Sequence, residues 1–85
     1  MYKELKIKNE VTFIRKNDQI TLADEFSQEI VVFFEDKEFL ESVWTLCLEV
    51  CDLENMPSKT VGQQELIDEL WDTLDDVFGE FGFDE

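Results

Sequence analysis

The residues that could do chemistry are concentrated in one stretch, residues 63–78, which carries six carboxylates and no lysine or arginine. They are Glu65, Asp68, Glu69, Asp72, Asp75 and Asp76. Paired carboxylates can act as general acid and base, as in glycosidases, but such a pair needs two different environments inside a cleft. A chain of 85 residues rarely encloses such a cleft. The stretch therefore favours binding over catalysis.

Other catalytic and metal-binding chemistry lacks its usual residues. The chain has no histidine, so a serine or cysteine nucleophile would lack its commonest activating base. Cys47 and Cys51 lack the further ligands that a zinc site requires. They stand one helical turn apart, where a disulfide would be strained. We expect two buried, inert thiols, no enzymatic activity, and no cofactor or metal.

The spacing of apolar residues predicts that the acidic stretch is an amphipathic helix over about 61–78. The apolar positions are Leu66, Ile67, Leu70, Trp71, Leu74, Val77 and Phe78. Thr60 and Gln63 have the spacing of a capping box, and Gly79 is placed to end the helix. Like charges three or four residues apart destabilise a helix by roughly 0.2–0.5 kcal/mol per pair. An acidic face without cations is therefore either solubilising surface or a surface that meets something positive.

A second amphipathic helix is predicted over about 36–52. Its apolar side comprises Phe39, Leu40, Val43, Trp44, Cys47, Val50 and Cys51, and its outer side carries Glu38, Glu41, Glu49 and Asp52. Asp36 is a suitable N-cap. Pro57 pushes the residue before it out of the helical region, so the helix must end before that point.

Residues before the helices predict strands. Short runs at 3–8, 11–15, 19–23 and 29–34 alternate in polarity or are rich in β-branched and aromatic residues. The expected fold is α+β, with an antiparallel sheet of three or four strands followed by two amphipathic helices packed on one face. Residues 1–85 form a single domain. The tail, 79–85, carries Phe81 and Phe83, which either complete the core or contact a partner or second protomer.

The charge balance limits the possible partners. The net charge is −15, whereas a small domain needs a magnitude of only about 2–8 for solubility. Five of the seven cations lie within residues 1–16, so the remainder is almost purely acidic. Direct binding to nucleic acid or to an anionic membrane is disfavoured. The chain shows no apolar span and no signal peptide, which predicts a cytoplasmic protein.

The acidic helix faces suggest a mimic of nucleic acid. A step of three or four residues along a helix advances about 5 Å, of the same order as the charge spacing along a nucleic-acid strand. In size, charge and helix-borne Asp and Glu, the chain resembles the small acidic DNA-mimic inhibitors, many of them encoded by phages. The resemblance covers roughly residues 36–85. It implies binding without chemistry, often as a dimer, to a replication, repair, transcription, restriction or CRISPR component of the host. The ten carboxylates of both helices are the predicted partner-binding residues.

Other interpretations remain open. The carboxylates could simply be the solvated side of two amphipathic helices. Gln64, Ile67, Leu70 and Trp71 are similar in spacing to the peptide that docks on replication sliding clamps, although Leu70 departs from the aromatic position. A clamp is also a possible target because an acidic plug would fit its positive channel. Alternatively, the protein is a structural or adaptor subunit that binds through Trp71, Phe81, Phe83 and a sheet edge, or an antitoxin or immunity protein for a basic toxin.

Overall fold

The computed structural model describes residues 2–8, 10–26 and 28–79. Four strands precede two helices: β1 (Lys3–Ile7), β2 (Val11–Arg15), β3 (Gln19–Asp24), β4 (Glu29–Phe33), α1 (Lys37–Glu54) and α2 (Val61–Phe78). The strands form one antiparallel sheet in the order β1-β2-β3-β4. The predicted α+β class is confirmed. The bounds of α2 agree with the prediction, while α1 continues two residues beyond its predicted end. Phe81 and Phe83, for which the sequence left core and partner contacts as alternatives, lie outside the described residues.

Both helices begin at side chains that satisfy their first backbone N–H groups. An Asp36 carboxylate oxygen accepts from the Glu38 N–H at 2.9 Å. Thr60 Oγ1 accepts from the Gln63 N–H at 3.1 Å, and Gln63 Oε1 accepts from the Thr60 N–H at 2.9 Å. This reciprocal pair is the predicted capping box. Gly79 ends α2 with a φ of 78°, where a residue with a Cβ would be strained.

The helices meet one face of the sheet. Phe13 is fully buried, with its ring centroid 6.0 Å from that of Trp71 and 6.4 Å from that of Phe78, both on α2. Arg15 lies two residues further along β2, so its side chain leaves the same face. It forms an ion pair with Glu41 of α1. Both helices therefore contact the sheet face that carries Phe13.

Residues on the other face of β4 remain exposed. Across the sheet, Val31 pairs with Thr21 and Thr21 pairs with Ile14. This row of paired residues is adjacent to the row that contains Phe13. Since side chains alternate along a strand, this row points away from the helices. Val31 and Phe33 keep 44% and 68% of their accessible surface. The outer face of the sheet is thus partly apolar next to its β4 edge.

Two apolar residues lie outside the core that the sequence pattern predicted for them. Phe39 of α1 keeps 51% of its accessible surface, and Leu66 of α2 keeps 42%. Both stand at the margins of their helix's apolar side. Helical periodicity identifies the centre of a buried stripe well, but the width of the stripe depends on the neighbouring elements.

Asn55 joins the end of α1 to β1. Its side-chain Nδ2 donates to the Lys6 carbonyl oxygen at 2.9 Å, and its Oδ1 accepts from the Lys8 N–H at 2.9 Å. The residue also caps α1, since its own N–H donates to the Cys51 carbonyl. One side chain therefore fixes the position of the helix end against the first strand.

The two cysteines are buried within α1 and are free thiols. Cys47 has no accessible surface and Cys51 keeps 4%. Burial raises the pKa of Cys47 well above its ordinary value and raises the pKa of Cys51 to about 12. Since only the thiolate reacts readily, both residues are held in the unreactive form.

We expect neither thiol to react with iodoacetamide at pH 8 while the protein is folded, and both to react after denaturation in guanidinium. Burial and the raised pKa values protect them together. Intact-mass spectrometry over time counts the modified cysteines. Rapid alkylation of the folded protein would show that one of the thiols is accessible and ionised.

Candidate partner-binding surface

The ten carboxylates that the sequence predicts to bind a partner lie on the outer sides of the two helices. Nine of the ten are exposed: Glu38, Glu41, Glu49, Asp52, Glu65, Asp68, Glu69, Asp72 and Asp76. Asp75 is half-buried. On both helices these residues lie opposite the side that packs in the core. Helices α1 and α2 contact each other, so their acidic sides belong to neighbouring elements.

Five of the six carboxylates of α2 have no neutralising partner among the described residues. The helix contains no lysine or arginine. In the part of the chain that the structure describes, no hydrogen bond or ion pair engages the side chains of five residues. These are Glu65, Asp68, Glu69, Asp72 and Asp76. Their mutual repulsion is therefore offset only by solvent and salt.

The placement of charge on α2 also opposes the helix dipole. Its first turn contains no acidic residue, and its last turn contains no basic residue. Asp75 and Asp76 instead stand near the C-terminus, where the aligned peptide dipoles already carry partial negative charge. A helix selected for stability alone would reverse this arrangement. The order of charges on α2 thus reduces stability while it keeps an acidic surface.

Glu41 differs from the other carboxylates because it has an internal partner. Arg15 Nη1 and Nη2 donate to its two carboxylate oxygens at 2.9 and 2.5 Å. The Arg15 side chain keeps 12% of its accessible surface and that of Glu41 keeps 60%. The hydrogen bond from Arg15 lowers the pKa of Glu41 and raises that of the guanidinium. Glu41 therefore offers a partner less unbalanced charge than Glu38, Glu49 or Asp52.

Trp71 is half-buried and packs against the core. Its ring stacks on Phe13 with an angle of 25° between the planes. Its indole Nε1 donates to the half-buried carboxylate of Glu54 at 3.0 Å. Two other positions of the clamp-peptide pattern, Ile67 and Leu70, keep only 1% and 6% of their accessible surface. In the folded protein these side chains build the core and are not available to a clamp.

A cleft that the sequence did not predict lies where β4 ends, between the first turn of α1 and the last turns of α2. Its volume is about 650 Å³. Apolar side chains that line it include Phe33, Phe39 and Val77, and carboxylates of Glu35 and Asp76 stand among them. The sequence pattern gave no signal for this cleft, because it placed Phe39 on the buried side of its helix, whereas Phe39 keeps 51% of its accessible surface.

No protein-family model, curated protein or solved structure matches this chain. Among residues 2–8, 10–26 and 28–79, no helix is both long and apolar enough to cross a membrane. Within the same residues, no group of three or more Cys, Asp or Glu side chains is arranged to hold a metal ion.

We expect Glu41→Gln to lower the thermal midpoint at pH 7 and to have progressively less effect as the pH falls. The pKa of Glu41 is lower in the folded protein than its ordinary value of 4.5. The ion pair therefore stabilises the fold above that value, and the stabilisation is lost as the pH falls through the lowered pKa. Circular dichroism melts between pH 7 and pH 2 measure this difference. Glu49→Gln, which removes an exposed carboxylate without a partner, is the matched control. A difference from wild type that is as large at pH 2 as at pH 7 would contradict the assignment.

We expect Asp76→Lys to raise the free energy of unfolding by about 0.3–1 kcal/mol, because it places a cation at the C-terminal end of α2. Glu38→Lys makes the same change in net charge but removes an acid from the first turn of α1. It should therefore be less stabilising than Asp76→Lys, or destabilising. Urea unfolding in low salt measures both variants. Equal effects would mean that net charge, and not the helix dipole, controls the result.

Proposed function

We propose that the protein is a non-enzymatic acidic inhibitor, which binds the basic surface of a nucleic-acid-binding protein with carboxylates in place of phosphates. The observation that carries this proposal is the surface of α2. Its exposed carboxylates have no cation on their own helix, and they have no internal partner among the described residues. Repulsion between these like charges, and the position of Asp76 at the negative end of the helix dipole, reduce the stability of the fold. A binding role accounts for such an arrangement, whereas solubility alone requires far less charge.

The geometry is compatible with phosphate mimicry. Successive carboxylates on one side of a helix are about 5 Å apart along its axis. The acidic sides of α1 and α2 belong to helices that touch each other, which gives two neighbouring rows of charge. Because the carboxylates are carried on helices, their backbone is already ordered before binding, which reduces the entropy lost on association.

The target that this surface fits is a protein with a basic channel or groove for DNA or RNA. Replication, repair, transcription, restriction and CRISPR components all have such surfaces, and the positive channel of a sliding clamp is one specific candidate. Attraction between the two charged surfaces should accelerate association and weaken steeply with added salt. A phage protein that blocks a host component in the cytoplasm, alone or as a dimer, would act in this way.

An antitoxin or immunity protein that neutralises a basic toxin would use the same electrostatics, so only the partner's identity separates it from the first proposal. The adaptor alternative depends on apolar contacts. Of its proposed anchors, Trp71 is engaged with Phe13 and Glu54. Exposed Phe33 and Phe39 are the better apolar contacts on this fold.

We expect the double variant Asp68→Lys/Asp72→Lys to weaken binding at least tenfold, because it reverses the charge at the centre of the α2 surface. The matched control is Glu10→Lys/Glu25→Lys, which makes the same change in net charge at exposed positions outside both helices. Partners are first captured from lysate of the source cells on the wild-type protein and eluted with duplex DNA. Calorimetry with the purified partner at two salt concentrations then compares the three proteins.

The proposal also requires that wild-type protein displace duplex DNA from the captured partner. If the α2 variant and the control bind equally well, phosphate mimicry by α2 is wrong. A partner that is released neither by DNA nor by salt would favour the adaptor alternative.

A further inference from the structure

Backbone groups along the outer edge of β4 have no hydrogen-bond partner among the described residues. The Asp24 N–H donates to the Gln28 carbonyl at 3.0 Å and the Phe34 N–H donates to the Asp18 carbonyl at 2.8 Å. In an antiparallel pair the residues that bond to one neighbour alternate with those that face away. Even-numbered residues of β4 therefore bond to β3, and the N–H and C=O groups of Glu29, Val31 and Phe33 point outward. No strand pairs with this edge among the described residues.

Among the described residues, this edge lacks three common protections against strand addition, which are lysine, proline and a bulge. Natural edge strands are shielded by lysine, proline, a bulge or a covering loop. The strand, Glu29–Phe33, contains neither lysine nor proline, and three of its five residues are the β-branched Ile30, Val31 and Val32. Its register with β3 is continuous, without a bulge. The edge is thus well formed for an added strand.

The apolar cleft lies at the end of the same strand. Residues from Val32 to Asp36 contribute to its wall, opposite Thr73, Asp76 and Val77 of α2. The Phe34 and Phe39 rings contact each other there, with their centroids 5.6 Å apart. A strand added along β4 would point every second side chain toward the helices. The cleft can receive an apolar side chain from such a strand.

The charge of the residues around the β4 edge favours one kind of added strand over another. Between Lys16 and Lys37 the sequence has six acidic residues and no cation. Three of these acids, Glu29, Glu35 and Asp36, lie on β4 or directly after it. A second copy of β4 would bring another Glu29 and a further net charge of −15 to the same place. A basic segment is complementary to this edge, and a second copy is not.

We propose that β4 binds an extended, basic segment of a partner protein as a fifth strand. Its main chain pairs with the outward groups of Glu29, Val31 and Phe33. One of its apolar side chains enters the cleft beside Phe39, and its cationic side chains point to the opposite face of the sheet, where Glu29 lies in line with Val31. In this mode the backbone hydrogen bonds supply affinity and the cleft supplies specificity. The inference rests on the proposed function for the basic character of the partner, and it adds a second contact surface with a defined binding mode.

The test uses the synthetic peptide acetyl-Lys-Leu-Arg-Val-Lys-Leu-Arg-amide as the probe. Its affinity is measured by NMR titration of the full chain, which also locates the binding site. Val31→Pro removes an outward N–H group without breaking a bond to β3, and proline is tolerated at such edge positions. Val61→Pro is the matched control, since Val61 is the exposed first residue of α2, where proline is favoured.

We expect the peptide to shift the amide resonances of β4 and Phe39, and to bind Val31→Pro at least tenfold more weakly than either wild type or Val61→Pro. A peptide with serine in place of its apolar residues should bind the wild-type protein more weakly by a similar factor. A peptide N-methylated at every second amide keeps its charge and side chains but cannot pair as a strand on one side. The N-methylated peptide should therefore bind more weakly than the unmodified peptide. This comparison uses the wild-type protein, so it tests the added strand even if Val31→Pro fails to fold.

Equal binding of the N-methylated and unmodified peptides would overturn the proposal, since attraction between charges would then explain the affinity. Resonance shifts confined to α1 and α2 would also overturn the proposal. Dimerisation that competes with the peptide and disappears in Val31→Pro would identify a second copy as the occupant, and would overturn it too. Loss of peptide binding in Asp68→Lys/Asp72→Lys but not in Val31→Pro would refute the added strand and leave the proposed function intact. The opposite pattern would support the added strand, and phosphate mimicry by α2 would still be decided by the separate test with the captured partner.

Discussion

Attachment of α2 to the sheet depends on the burial of Phe13. Net charge does not hold this helix, because its ionised side chains are all negative and the chain as a whole is acidic. The helix is instead held by apolar contacts, in which Phe13 meets Trp71 and Phe78. Burial of one large apolar side chain contributes about 1.5–3 kcal/mol, several times the repulsion of one pair of like charges on a helix. The core therefore determines how much unbalanced charge the surface can carry.

The two helices use their charge differently. On helix α1, one carboxylate of the acidic side is neutralised within the protein, because Arg15 donates two hydrogen bonds to Glu41. Helix α2 has no comparable bond to a cation among the described residues. Arg15 thus stabilises the packing of α1, whereas the exposed carboxylates of α2 keep their charge for interactions outside the molecule. This division is the reason that the proposed function depends on α2 more than on α1.

Local features were predictable from sequence because their causes are local. The capping box of Thr60 and Gln63 and the end of α2 at Gly79 follow from residues a few positions apart. Interactions between distant residues were not predictable. Arg15 and Glu41 are separated by 26 positions, and several lysines could have taken the same role. The exposure of Phe39 and the open edge of β4 depend on where neighbouring elements end, which no periodic pattern encodes. The acidic surface was therefore predicted, and the cleft beside it was not.

The side chain of Asn55 affects how many chains can add to the edges of the sheet. Its amide group makes the two hydrogen bonds with Lys6 and Lys8 that a neighbouring strand would otherwise make, which shortens the free length of the β1 edge. The sheet therefore has one partly closed border and one open border. Propagation from molecule to molecule needs two open borders, so a sheet of this kind favours addition of a single strand and finite complexes over fibres.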